Sequence, residues 1–308
     1  MMSDATSLSE NWPRNIWLDA TREVAKNLAM ALPPVRAWRL RSARAGASFT
    51  GADAALERYA WQATRNLTDL LGGVKGLHIV EIGPGDYLTS GLALLAAGAA
   101  SYTAIDRFPG DHTGATAKAW YRGIAAAWPR CFPMLPWPEY LRAEDFPEAY
   151  PDRAKLIAGP IERVHADGRF DVVCSYQVGE HVTDIDAFAH MSAQLLAPEG
   201  VAVHRVDFGP HDCWFYYPDT LTFLRFPEWL WRLMGSQRGT PNRRRDHEFR
   251  AAFEHAGFHV ELASIERFEV GDFDLTRLPP RFQAMPRESL DVSAAVYLCR
   301  LQERYLRC

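Results

Sequence analysis

The chain is predicted to fold as an α/β protein with a doubly wound, mostly parallel sheet. Three observations predict it. An apolar run that reads as a buried strand, Leu77-His-Ile-Val-Glu-Ile-Gly-Pro-Gly85, ends in a glycine turn. A second strand, Ser101-Tyr-Thr-Ala-Ile-Asp106, follows after one helix and ends in a carboxylate. Strand and helix patterns then alternate through the middle of the chain, which is the pattern of parallel βαβ units. A glycine turn after one strand and an acidic tip on the next make a nucleoside-binding half-fold.

The elements follow in order. Residues 1 to about 70 contain no clear strand, and the apolar spacing from Ala54 to Leu71 is helical and stops at Gly72-Gly73. The first 72 residues are therefore expected to be a helical N-terminal extension or cap, and 73–308 the main domain. Strand 77–83 leads into a helix over about 88–97 that closes at Gly98. After strand 101–106, a helical stretch near 114–128 runs into Pro129, Pro133, Pro136, Pro138, Pro147 and Pro151, interleaved with aromatic residues. Proline at that density excludes a regular helix or central strand. Residues 108–153 are thus expected to be an insertion, either packed on the surface or acting as a substrate-contacting flap.

A further strand starts at Phe170-Asp-Val-Val-Cys-Ser175. Thr183 or Asp184 caps a helix with Ile185, Phe188, Met191 and Leu195 on one face, which stops at Pro198-Glu-Gly200. The strand Val201–Phe208 follows at once. A second insertion, 211–242, is rich in aromatics, with helical spacing from Phe223 to Leu233 and a cluster Trp214-Phe-Tyr-Tyr217 that cannot all face one core. Part of that cluster is expected to line a pocket or lid. A helix from about Arg245 to His255 and two strands, 258–268 and 291–301, complete the pattern, the strands pairing antiparallel.

Composition restricts function. The 308 residues carry a net charge of −4, which gives no electrostatic reason to expect nucleic acid as a partner. The one basic cluster, Arg243-Arg244-Arg245, is followed by Asp246 and Glu248 and reads as a solvated helix start. No segment is long and apolar enough to span a membrane, and the first residues lack a signal-peptide pattern. Five scattered cysteines without a Cys-x-x-Cys pair fit a reduced, cytoplasmic protein. A homodimer is compatible with this composition.

The glycine turn distinguishes among nucleosides. A dinucleotide fingerprint needs a third glycine where this chain has Leu88, and a Walker loop needs Gly-Lys-Ser/Thr, which is absent. The chain instead resembles the class I S-adenosylmethionine-dependent methyltransferases. The resemblance runs over about 77–210 and rests on Glu81-Ile-Gly83-Pro-Gly85, on Asp106, on Phe170-Asp-Val-Val-Cys-Ser-Tyr-Gln-Val-Gly-Glu-His-Val182, and on Leu195-Leu-Ala-Pro-Glu-Gly-Val201. It departs at Tyr87, where many members carry a further glycine.

This resemblance implies a Rossmann-like seven-stranded sheet and S-adenosyl-L-methionine as cofactor. By position, Gly83, Pro84 and Gly85 would lie under its methionine part, and Glu81 would orient its polar end. Asp106 would take the ribose hydroxyls, with Arg107, Tyr176 and Gln177 also at the cofactor, and Glu162 near the adenine. A carboxylate suits a ribose diol because it offers two acceptors to two donors.

The acceptor is expected beyond the carboxyl ends of the fourth and fifth strands. Two clusters fall there, Tyr176–His181 and His204–Asp212. His181 is the preferred general base and His211 the second choice, with Glu180 or Asp207 orienting the imidazole. Glu180-His181 can equally serve to shape the cofactor site. His204, inside a strand, reads as a buried core histidine. No metal is required for methyl transfer; a metal reading would use Asp207, His211 and Asp212, weakened by Gln177 in place of an acidic ligand. The expected reaction is methylation of a small-molecule acceptor, with oxygen favoured over nitrogen or sulfur. A nicotinamide-dependent oxidoreductase and a non-catalytic adenosylmethionine-binding module are the competing readings.

Overall fold

The computed structural model describes residues 15–35, 61–85, 87–107, 109–161, 170–236, 239–268 and 274–302. Glu162 and the 54–60 part of the expected first helix lie outside the described residues.

Seven strands form one sheet: β1 (His78–Ile82), β2 (Ser101–Asp106), β3 (Ala154–Ala158), β4 (Phe170–Tyr176), β5 (Leu196–Asp207), β6 (Phe258–Arg267) and β7 (Val292–Leu301). Their order is β3-β2-β1-β4-β5-β7-β6. The first five are parallel, and β7 runs antiparallel to both β5 and β6. The doubly wound, mostly parallel sheet predicted above is therefore present, with its chain reversal at β2-β1-β4.

The helices are α1 (Ile16–Ala31), α2 (Trp61–Leu71), α3 (Thr89–Ala96), α4 (Ala115–Cys131), α5 (Ile185–Leu195), α6 (Glu228–Gly235), α7 (Asp246–His255), α8 (Pro280–Gln283) and α9 (Arg287–Leu290). One face of the sheet packs a cluster built on Leu92, Leu95, Tyr102, Tyr121, Ile124 and Trp128. The other packs Val80, Val173, Phe188, Phe249, Phe253 and Tyr297. Central strands buried on both faces account for the continuous apolar runs in β1, β2 and β4.

Helix α3 shows why a third turn glycine is dispensable. Leu88 is buried just before the helix, and the close approach of helix to sheet occurs at Gly91 instead. A Cβ there would lie 2.3 Å from the Tyr102 ring.

Three expectations are corrected. Helix α4 does not stop before Pro129 but carries it in its last turn and ends at Cys131. Within 108–153, Trp128 and Phe146 are fully buried, and the Trp128 indole donates to Leu135 O at 2.6 Å. The Pro198-Glu-Gly200 turn is not a separate loop, because β5 starts at Leu196. Its pairing jumps from Phe170–Leu196 to Val172–Val201, so the turn is absorbed as an irregularity in the ladder. The helical spacing from Phe223 to Leu233 is broken at Pro227, giving a 3-10 turn (Thr222–Arg225) followed by α6.

The basic triplet is also not solvated. Arg243 and Arg245 are buried and only Arg244 is exposed. Arg245 donates to the carbonyls of Phe208, Leu290 and Val292 at 2.7–2.8 Å, tying the end of β5 to the start of β7. Arg243 donates to Phe226 O and to Glu228 while lying over the Trp231 ring. Buried backbone acceptors need donors, and these guanidiniums supply them.

Helix α1 packs on the 211–242 segment. Asn15 caps it, Tyr217 donates to Asp19 at 2.8 Å, and Asn27 donates to Leu233 O at 2.9 Å. Together with Trp214, Phe223, Phe226, Trp231 and Phe282 this makes a third core cluster. In the aromatic run Trp214 is buried while Phe215 and Tyr216 are exposed.

Candidate active site

Loop positions at the carboxyl ends of β2, β1, β4 and β5 lie side by side because those strands are neighbours in that order. Parallel strands are about 4.8 Å apart, so Asp106 and Asp207 sit on tips separated by three spacings, roughly 14 Å. Between them lie the β1 turn and the β4 loop.

The β1 turn needs its glycines. Gly83 has φ +69° and Gly85 φ +82°, a left-handed region that favours glycine. Gly83 has no space either: a Cβ would lie 2.5 Å from Val178 Cγ2 in the β4 loop. The turn is pinned to β2, with Gly83 N donating to Ile105 O at 2.8 Å. Pro84 is half-buried and Gly85 exposed, which leaves bare backbone facing the cleft.

Glu81, one residue before Ile82, is buried beneath this turn. It accepts from the Ser90 and Tyr102 hydroxyls. Burial outweighs these two hydrogen bonds and raises its pKa, and it pushes the Tyr102 phenol up strongly. Asp106 is half-buried at the end of β2, and Arg107 beside it is exposed.

At β4, Tyr176 is half-buried, and Gln177 turns the chain with φ +57° while its N–H donates to Arg205 O at 2.9 Å. The loop then makes a 3-10 turn, Gly179–His181. Gly179 is required by contact, since a Cβ would lie 2.9 Å from Val206 Cγ2. Asn242 holds this loop from the far side. Its amide donates to Gly179 O at 2.8 Å and Val182 O at 3.0 Å, and its own N–H donates to Glu180 O at 2.6 Å. Sequence reasoning missed Asn242, because only folding brings it near the loop.

Three predicted residues come together here. The His181 and His211 rings lie 5.2 Å apart, edge to face. His211 Nε2 is 3.7 Å from Asp207 Oδ2, while Asp207 Oδ1 accepts from Gly209 N at 2.7 Å. Burial alone would raise Asp207; the nearby His211 and the hydrogen bond from Gly209 N outweigh it and hold the carboxyl low. His181 is exposed to solvent. The dense protein around its ring, then the neighbouring His211, outweigh a hydrogen bond to the Gly239 backbone and lower its pKa to about 4. Glu180 points inward, and burial pushes its pKa well up. His204 is the fully buried core histidine expected, bonded to Ser175 Oγ at 2.8 Å. Asp212 is exposed with φ +52°.

The sequence model of a methyltransferase domain matches residues 54–263. The chain belongs to that methyltransferase family. No curated protein matches its sequence. Among solved structures, the methyltransferase is similar to an S-adenosylmethionine-dependent methyltransferase from Mesorhizobium loti, at 20% identity over 81% of this chain and 100% of that one, with TM-score 0.42. It is similar to the magnesium protoporphyrin IX methyltransferase of Synechocystis, at 14% identity over 86% and 93%, with TM-score 0.44. A third is a Burkholderia thailandensis 1,6-didemethyltoxoflavin-N1-methyltransferase, at 15% identity over 88% and 91%, with TM-score 0.44.

Family and sheet order make this a class I enzyme that uses S-adenosyl-L-methionine, and the oxidoreductase reading falls away. The site suits that cofactor on its own geometry. The cradle at Gly83 excludes a side chain, and Asp106 places a carboxylate one strand away from it. Among the described residues, no helix is long and apolar enough to cross a membrane.

Proposed function

We propose that this methyltransferase acts on a small-molecule acceptor, with an oxygen acceptor favoured, held over the tips of β4 and β5. The observation that carries the reading is the His181–His211 pair beside Asp207. Bound adenosylmethionine supplies an electrophilic methyl group on a sulfonium. The chain's own residues do the rest. Asp106 accepts the ribose hydroxyls, with Arg107 alongside. Gly83, Pro84 and Gly85 give the methionine arm room against backbone, Glu81 stiffens the turn from below, and Tyr176 and Gln177 wall the opposite side. His181 receives the proton that an acceptor hydroxyl must lose, and Asp207 orients His211 against it. Transfer gains mainly from holding acceptor and methyl in line.

The test is methyl transfer to a panel of hydroxylated, amine and thiol small molecules, read by mass spectrometry. His181→Ala is expected to lower kcat by about 100-fold or more on a hydroxyl acceptor. Affinity for S-adenosylhomocysteine should stay unchanged. Full turnover by His181→Ala would remove the proposed base, and activity confined to amines would refute the oxygen preference.

A further inference from the structure

Glu180 is the anomaly of the acceptor side. Its side chain is 2% exposed, and neither carboxylate oxygen has a hydrogen-bond partner. A buried carboxyl without a partner is costly, so such a group ordinarily has a partner to receive it. Its neighbours identify the kind of partner. One ligand atom each from Glu180, Asp207 and His211 lie within 4.8 Å of one another. Asp207 has committed only Oδ1, to Gly209 N, and turns Oδ2 toward His211 Nε2. Two carboxylate oxygens and an imidazole nitrogen are thus close enough together to share one ion.

We propose that Glu180, Asp207 and His211 form a divalent-cation site at the acceptor edge of the cleft. Two hard oxygens with one borderline nitrogen suit Mn²⁺ or Zn²⁺ better than Ca²⁺, which takes oxygen ligands alone. The ligand set differs from a reading of the sequence by spacing. Asp212, adjacent to His211 in the chain, is left out, and Glu180, from a different loop, replaces it. The loop contacts serve the site as supports. Asn242 fixes the backbone on both sides of Glu180, and Gly209 fixes the rotamer of Asp207. Three protein ligands leave coordination positions open to the cleft, where His181 lies against His211. There the cation would take an acceptor oxygen and ease loss of its proton; this role, unlike the site itself, rests on the oxygen-acceptor reading.

The experiment uses the full chain, stripped with chelator. MnCl₂ is titrated and followed by loss of the free-ion signal in electron paramagnetic resonance, and ZnCl₂ is titrated by calorimetry. One saturable site per chain is expected. Glu180→Gln and His211→Ala should each weaken it about tenfold or more. Asp212→Asn should leave it unchanged. S-adenosylhomocysteine binding and circular dichroism show that each variant is folded. The proposal is overturned if folded wild-type protein binds neither ion saturably. It is also overturned if Glu180→Gln and His211→Ala bind as wild type does, or if Asp212→Asn alone abolishes binding. Wild-type protein that binds S-adenosylhomocysteine but neither ion overturns the cation proposal alone. Metal binding without transfer to any hydroxyl acceptor instead overturns the oxygen reading and leaves the site standing.

Discussion

Acidification is expected to unfold this protein through one ring in its core. His204 on β5 is fully buried, stacked on Phe253 at 5.1 Å and edge-on to Phe188. Its Nδ1 is 2.8 Å from Ser175 Oγ, and Nε2 has no partner. No charged group adds to or offsets the effect: burial alone lowers its pKa to about 3, against 6.5 for the free side chain. The folded value lies below the unfolded one, so the unfolded chain takes up more protons between those two values. The contribution is present above about pH 6.5 and is lost progressively as pH falls toward 3. With about 1.4 kcal/mol per pKa unit, lowering the pH from 7 to 5 removes about 2 kcal/mol through this group. Urea unfolding followed by tryptophan fluorescence at both pH values measures it. The Ser175→Ala/His204→Leu variant removes the titrating ring and its partner together. Wild type should lose about 2 kcal/mol more than the variant over this pH interval, since every other group titrates in both. Equal losses in the two proteins would refute the reasoning.

Three further outcomes are expected. Asp106→Ala should weaken S-adenosylhomocysteine binding by tenfold or more in calorimetry, since the loss of a charge-assisted hydrogen bond is worth about 1.5–3 kcal/mol. Gly83→Ala should abolish that binding while the sheet survives, because the new Cβ meets Val178 Cγ2 at 2.5 Å in a turn with φ +69°; circular dichroism separates the two effects. Arg245→Met should cost about 3 kcal/mol or more in urea unfolding, because three buried carbonyls lose their donor.

The sheet was legible because its central strands are buried on both faces and therefore mostly apolar. The strand β3 was not. It is an edge strand, Ala154-Lys-Leu-Ile-Ala158, mostly exposed, and it follows directly on the proline-rich stretch. The turn at Gly83 and the carboxylate at Asp106 were visible because local backbone geometry and strand ends leave sequence marks. The acceptor side was legible only in its parts. His181, Asp207 and His211 were named one by one, whereas the inward turn of Glu180 and the Asn242 clasp depend on residues about sixty positions apart. Arg243 and Arg245 misled for the same reason: their carbonyl partners lie on other loops, and charge alone suggests solvent.

The placement of β7 between β5 and β6 carries a consequence for the order of assembly. The strands that support the cofactor cradle, β1 through β4, come from one continuous stretch, 78–176. The far flank of β5 is completed only by Val292–Leu301, with Ala294 paired opposite Asp207. As the chain leaves the ribosome, the β1–β4 half of the sheet can therefore form while the β5 half, where the proposed acceptor side lies, still waits for a strand made more than a hundred residues later. Until β7 arrives, β5 is an open edge, and Arg245 lacks the Leu290 and Val292 carbonyls that it bonds in the finished fold. The flank of the sheet that bears the proposed acceptor site is thus the last to be enclosed.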